Sequence, residues 1–386
     1  MRILYASCAG AWLHRSAAEL ARRGETVWLY TASRNSTALS PEQYHRCWPF
    51  HAACKPFYHL FHGRYGEPAY HALFPLWQRW MSSQRLPECD VVHAVMASAE
   101  EAFDHADRVG ALKVLDASNS HPTSFYGFWQ RELDIWNPGA RVAVPRRVFA
   151  RANREIERAD LVLCPSTYVR DSMLYNAIPE SRLAVNPYGA DLGVFTPRPA
   201  VPERPRFLFV GMLTLRKGVQ YLVPAFERLQ REVPEAELLL CGPVHADFRP
   251  LFRRWSARFQ HVPGLPHREL AALMRTCTAF VFPSIEEGFA RVIAEAMASG
   301  LPVIATHQSG ASTVVEDGRE GRIIRERSPD AVLEAMREMV RDRECCAVRG
   351  RAAAARIAAG GSWGHYADRL LSIYRERRTG SSTAAA

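Results

Sequence analysis

The sequence predicts an α/β protein built as two Rossmann-like domains facing each other across a cleft. Three observations carry this. At 386 residues the chain exceeds what one hydrophobic core usually serves. Short apolar runs alternate with stretches of helical period, once before position 197 and again after position 205. Between them prolines gather at Pro197, Pro199, Pro202 and Pro205, as in a stiff, extended linker. The expected division is an N-terminal domain over 1–200, a C-terminal domain over 201–360, an amphipathic helix over 361–378 and a disordered tail over 379–386.

In the first half Ile3–Ala6 reads as a buried strand, followed by a loop through Gly10 and a helix with Leu13, Ala17, Leu20 and Ala21 on one face. Gly24 stops that helix and Val27–Tyr30 is the next strand, which completes a βαβ unit. Asp90–Val95, Lys113–Leu115 and Leu161–Cys164 are further strands, each ending in polar or small residues where ligands sit in such sheets. The stretch from Tyr44 to Trp80 is crowded with aromatics, Phe61 and Tyr65 among them, and broken by four prolines. It reads either as irregular helices packed on the domain or as a contact surface for a second substrate or membrane lipid.

The second half restarts the alternation with strands at Phe207–Val210, Glu237–Leu240, Ala279–Phe282 and Pro302–Ala305. Pro224 is expected to kink or delay the helix after Gly218. Ser328-Pro329 opens another helix with a cap and a first-turn proline.

The net charge of +9 comes almost wholly from arginine, since the only lysines are Lys55, Lys113 and Lys217. Arginine-rich coding explains this as well as attraction to phosphates or to an acidic membrane face does. The basic residues form no dense run, so nucleic acid is not an expected partner. Nine scattered cysteines form no CxxC pair, which suits a reducing, cytoplasmic setting. The first residues resemble a short signal peptide, but His14 and Arg15 interrupt them, and they are read as a strand instead.

Two segments carry chemistry. In Phe282–Gly300 a strand ends at Pro283, a loop holds Glu286, Glu287 and Gly288, and a helix runs to Gly300. Continuous helix from 287 to 295 would separate Glu287 and Glu295 by about 12 Å with about 80° of turn, too far for an acid–base pair. The two carboxylates fit opposite ends of an extended ligand, with helix N–H groups between them suited to a diphosphate. In Val210–Gly218, Arg216 and Lys217 follow a strand, where two cations would neutralise a diphosphate leaving group. Solvated glutamates and a basic turn are the bland alternatives.

Together these segments resemble the GT4-type retaining glycosyltransferases of the GT-B fold. The resemblance rests on Val-Gly-x-Leu-x-x-Arg-Lys-Gly at 210–218, Cys241-Gly-Pro, Val262-Pro-Gly-Leu, and Phe282-Pro-Ser-x-x-Glu-Gly-Phe with Glu295-Ala-Met-Ala-Ser-Gly-Leu-Pro. It is strong over 206–324 and loose in the first half. It implies a nucleotide-sugar donor, a carbohydrate, lipid-linked or small-molecule acceptor, no cofactor and no metal, with surface polysaccharide assembly as the setting. The last helix would pack back on the N-terminal domain.

Residue by residue, the resemblance implies that Glu287 contacts the donor sugar and that Gly288 and Phe289 offer backbone N–H groups. Glu295 would hold the ribose, and Lys217 with Arg216 would stabilise the diphosphate. Gly211 lies in the diphosphate loop, and Leu265 ends the loop bordering the base. His121, in Asp116-Ala-Ser-Asn-Ser-His-Pro, would face the donor sugar, and Gly10 with His14 would approach the diphosphate from the first domain. Met212 stands where the family often has arginine, and Thr313 where glutamate is frequent. Met212 motivates one alternative, a catalytically weak binding or scaffold protein; a sugar-nucleotide epimerase on a similar two-domain fold is a third reading, against which the Glu287/Glu295 segment argues.

Overall fold

The computed structural model describes residues 1–8, 10–34, 39–60 and 66–382. The aromatics Phe61 and Tyr65 and the tail 383–386 lie outside the described residues. The first domain runs β1 (Arg2–Ser7), α1 (Ala11–Arg22), β2 (Thr26–Thr31), β3 (Tyr44–Arg46), α2 (Trp48–Leu60), α3 (Gly66–Ser83), β4 (Val91–Val95) and α4 (Glu100–Val109). It continues with β5 (Leu112–Asp116), α5 (Pro122–Trp136), α6 (Arg146–Arg158), β6 (Leu161–Cys164), α7 (Thr167–Tyr175) and β7 (Leu183–Val185). Its seven strands lie in the order β3-β2-β1-β4-β5-β6-β7 and pair parallel throughout.

The second domain repeats the plan. It runs β8 (Arg206–Val210), α8 (Val219–Glu232), β9 (Glu237–Cys241), α9 (Arg249–Trp255), β10 (Gln260–Val262), α10 (His267–Arg275) and β11 (Ala279–Phe282). Then come α11 (Arg291–Ala298), β12 (Val303–Thr306), β13 (Gly321–Ile324), α12 (Pro329–Arg341) and α13 (Arg343–Gly360). The sheet order is β10-β9-β8-β11-β12-β13, again all parallel. Parallel strands need crossover helices that cover both faces, so the central strands are apolar without alternation. Phe207, Leu208, Phe209 and Val210 are all buried accordingly. The helix at Pro224 begins at Val219 without delay and runs through the proline to Glu232.

The last helix, α14 (Trp363–Ser382), returns to the first domain, and Thr379–Ser382, expected in the tail, belong to it. Tyr374 on α14 is fully buried, and its hydroxyl is 2.5 Å from Nδ1 of His93 on β4. Arg369 donates to Asn186 at 2.9 Å, and Arg23 of α1 meets Asp368 at 2.6 Å.

The two sheets face across a cleft, and α5 bridges it. Glu132 on α5 is wholly buried and accepts from Gln220 Nε2 and Tyr221 Oη at 2.8 Å and from Arg327 Nε at 2.6 Å, all in the second domain. A carboxylate so enclosed needs these donors, because an unpaired buried charge is strongly unfavourable. Trp129, one turn earlier, donates to Asp247 Oδ2 at 3.2 Å.

Candidate functional site

The site is built where the loop after β8 lies against the end of β11. That loop turns tightly at Leu215–Lys217 and ends on Gly218, whose φ is 73°. A Cβ at Gly218 would stand 1.8 Å from the Pro283 carbonyl oxygen, so only glycine lets the two loops approach this closely. The approach puts Lys217, only 7% exposed, into an ion pair with Glu287. Arg216 Nη1 lies 2.8 Å from Glu286 Oε2 and 3.6 Å from Glu287 Oε2, and it also donates to the Glu286 backbone oxygen at 2.9 Å. Burial, reinforced by the neighbouring Arg216 charge, pulls the Lys217 ammonium well below its ordinary pKa.

Helix α11 begins only at Arg291, so the helical arithmetic drawn between Glu287 and Glu295 does not apply. Residues 286–290 are irregular because the loop is held from both sides: Ile285 N donates to Arg216 O at 2.9 Å and Ala290 N to Ser309 O at 3.1 Å. Glu295 is on α11 and buried, and burial raises its pKa although Arg291, His267 and Arg15 favour its charged form. His267 Nε2 is 3.9 Å away. Arg15 of α1 is paired with Asp191 at 2.8 Å, which brings first-domain charge to this end of the site.

From the first domain, the loop after β5 closes on the same place. A Cβ on Gly288 would stand 1.9 Å from the Ser118 carbonyl oxygen, so a glycine is needed for the domains to meet. Ser120 donates through its hydroxyl (3.0 Å) and its amide (3.3 Å) to Glu286 Oε1. Ser166 donates to the Gly288 carbonyl at 2.5 Å, and Thr313 Oγ1 accepts from Thr167 N at 3.0 Å, so the residue in the glutamate position joins the domains. Glu286 is fully buried and links Ser120 to Arg216. In the sequence it is a loop residue with no assigned role. The available signal was a second glutamate adjoining Glu287, opposite a basic pair.

His121 caps α5: its Nδ1 accepts from Thr123 N at 3.3 Å, and its own amide donates to Ser172 Oγ at 3.0 Å. That bond assigns the ring proton to Nε2, and burial lowers the ring's pKa. Phe289 is buried with its ring edge-on to Tyr188 at 6.1 Å. Gly10 is the cap position of α1, at φ 148°. His14 is buried, 6.0 Å from the Tyr44 ring, and among the described residues neither ring nitrogen has a hydrogen-bond partner. Its burial lowers the pKa to about 4. Gly211 leads out of β8 and donates to Cys241 O at 2.8 Å, while Leu265 follows β10, whose Val262 O accepts from Gly242 N at 2.9 Å. Among the described residues no group of three or more His, Cys, Asp or Glu is placed to hold a metal ion. Among them no helix is long and apolar enough to cross a membrane.

Two facing parallel sheets, a basic loop at one edge and a terminal helix returning to the first domain define the GT-B class of fold. Within it, residues 196–356 match the family described as glycosyl transferases group 1. The structure resembles sucrose-phosphate synthase from Thermosynechococcus elongatus, with a TM-score of 0.71 at 19% identity over 98% of this chain and 100% of that one. Anabaena Alr3699/HepE, solved with UDP and glucose, gives a TM-score of 0.68 at 17% identity over 97% of this chain and 100% of that one. At such identities the likeness is one of fold. In sequence, the alpha-maltose-1-phosphate synthase of Mycolicibacterium smegmatis is 30% identical over 251 residues, which cover 57% of this chain and 64% of that protein. The matched stretch is thus short of two thirds of that relative's length.

Proposed function

We propose that this chain is a retaining glycosyltransferase that moves a sugar from a nucleoside-diphosphate donor to an acceptor hydroxyl. The observation that carries the reading is the buried Lys217–Glu287 pair, joined through Arg216 to Glu286, at the edge of the domain matched by the family. Two cations and two carboxylates in one small buried cluster suit a ligand that is anionic at one end and hydroxyl-rich at the other. The donor diphosphate replaces Glu287 as partner of Lys217, and the released carboxylate lies beside the sugar. Glu295, buried on α11, accepts from the ribose hydroxyls.

In the reaction the bond from the anomeric carbon to the diphosphate oxygen breaks, and its electron pair leaves with the diphosphate. The acceptor oxygen bonds to the same face of that carbon, and its proton passes to the departing diphosphate. Lys217 and Arg216 stabilise the charge that develops on the leaving group, an electrostatic contribution worth about 10²–10³ in rate for a well-placed donor. His121, neutral and fixed as a helix cap, offers Nε2–H as a hydrogen-bond donor to the sugar. The cytoplasm is the proposed location, supported by nine free cysteines, eight of them buried. Incubation with a panel of nucleotide sugars tests the reading: release of nucleoside diphosphate that depends on added acceptor supports it. Hydrolysis of none of them, with or without acceptor, contradicts it.

A further inference from the structure

A cavity of about 500 Å³ opens between the domains beside the loop after β5, within the usual size range of small-molecule sites. Ser118, Asn119, Ser120 and Arg216 line the end that adjoins Glu286, Glu287 and Gly288, and Tyr70, His71, Thr214 and His245 add polar groups elsewhere in the lining. Most of the remaining wall is apolar: Phe125 and Trp129 on α5, Val144 before α6, Val148 and Phe149 on α6, and Met212 from the second domain. The Phe125 ring stands edge-on to Trp129 at 5.7 Å and tilted to Phe149 at 6.1 Å, so one aromatic surface continues from α5 to α6. Arg216 joins this surface to the cluster, with its guanidinium 5.4 Å from the Phe125 ring centre and 5.9 Å from that of Trp129. The same side chain thus borders both the proposed donor site and the apolar wall.

We infer that the acceptor is an amphiphile, a hydroxyl-bearing head carried on a hydrocarbon tail. This rests on the glycosyltransferase reading. The head lies against Ser118, Asn119 and Arg216, where its hydroxyl oxygen forms the new bond as the anomeric bond to diphosphate breaks, its proton leaving with the diphosphate. The tail lies along Phe125, Phe149 and Val148. A freely soluble sugar would leave that wall in contact with water, whereas a hydrocarbon tail would remove its apolar surface from water. Met212 completes the wall from the second domain although it is 47% exposed, and a tail in the cavity would cover it.

Saturation-transfer NMR on the full chain with octyl β-D-glucoside, kept below its micelle threshold, and methyl β-D-glucoside tests this. Saturation of the octyl protons, with binding about tenfold or more tighter than for the methyl glycoside, is expected. Met212→Asp and Val148→Asp should each remove most of that preference. Met212 is on the rim, so its variant keeps the test valid if Val148→Asp fails to fold. Equal binding of the two glycosides, or a preference untouched in Met212→Asp, would overturn the inference. Thermal stabilisation by UDP, GDP or ADP is measured in parallel. Stabilisation by a nucleotide without octyl preference overturns the amphiphile alone. Octyl binding with no nucleotide effect overturns the acceptor role together with the donor reading.

Discussion

Ser120 in the first domain donates its hydroxyl to Glu286 in the second at 3.0 Å, and the other oxygen of that carboxylate meets Arg216. The cleft is therefore closed by a buried carboxylate that also orients one of the two cations of the site. Glu286→Ala would leave the Ser120 hydroxyl without its acceptor and Arg216 without its nearest carboxylate. The expected loss is about 1–3 kcal/mol of stability in denaturant unfolding, with a larger radius of gyration by small-angle scattering. An unchanged radius and midpoint would show that the link does not hold the domains.

Glu132 performs the corresponding task on α5, where three second-domain donors converge on one buried carboxylate. Glu132→Ala leaves Arg327 short of its partner and should cost about 3–5 kcal/mol, seen as a lower melting temperature. Glu132→Gln, which retains one acceptor oxygen, should lose less.

Gly288 tests the closed arrangement by shape alone. Gly288→Ala places a methyl group 1.9 Å from the Ser118 carbonyl oxygen, which belongs to backbone and cannot swing away. The domains must separate at that point, so transfer should fall by about tenfold or more while each domain keeps its secondary structure by circular dichroism.

His14 makes stability depend on pH. Its folded pKa is lowered by burial from 6.5 to about 4, so the unfolded chain binds the proton more readily. Its contribution is therefore complete above pH 6.5 and is lost as pH falls toward 4, up to about 3 kcal/mol. His14→Phe should flatten the fall in melting temperature over that window. A variant whose acid profile matches the parent would show that His14 is not the titrating group.

The interior strands were legible in the sequence and the edge strands were not. β6 and β11 fall on the residues expected for them, because a strand buried on both faces is a continuous apolar run. The four strands without a sequence signal, β3, β7, β10 and β13, are the outermost of their sheets. Tyr44-His45-Arg46 and Gln260-His261-Val262 show why: three residues, half-exposed or exposed, have no apolar run to read. In the site, the segments holding Lys217 and Glu287 were legible as basic and acidic loops, and the structure joins them in one ion pair. The partnership of Glu286 with Ser120 was not, since the two lie 166 positions apart and meet only when the domains do. The start of α11 was not legible either, because good helix-forming residues follow a loop whose backbone is held by Arg216 and Ser309 instead.

In the proposed reaction Lys217 leaves Glu287 for the donor diphosphate. Calorimetric titration of the parent chain and of Lys217→Ala with UDP, GDP and ADP tests it most directly. At least one of the three is expected to bind the parent chain, with its affinity falling by about tenfold or more in the variant. Binding by none of them, or equal affinity in the two chains, would contradict it.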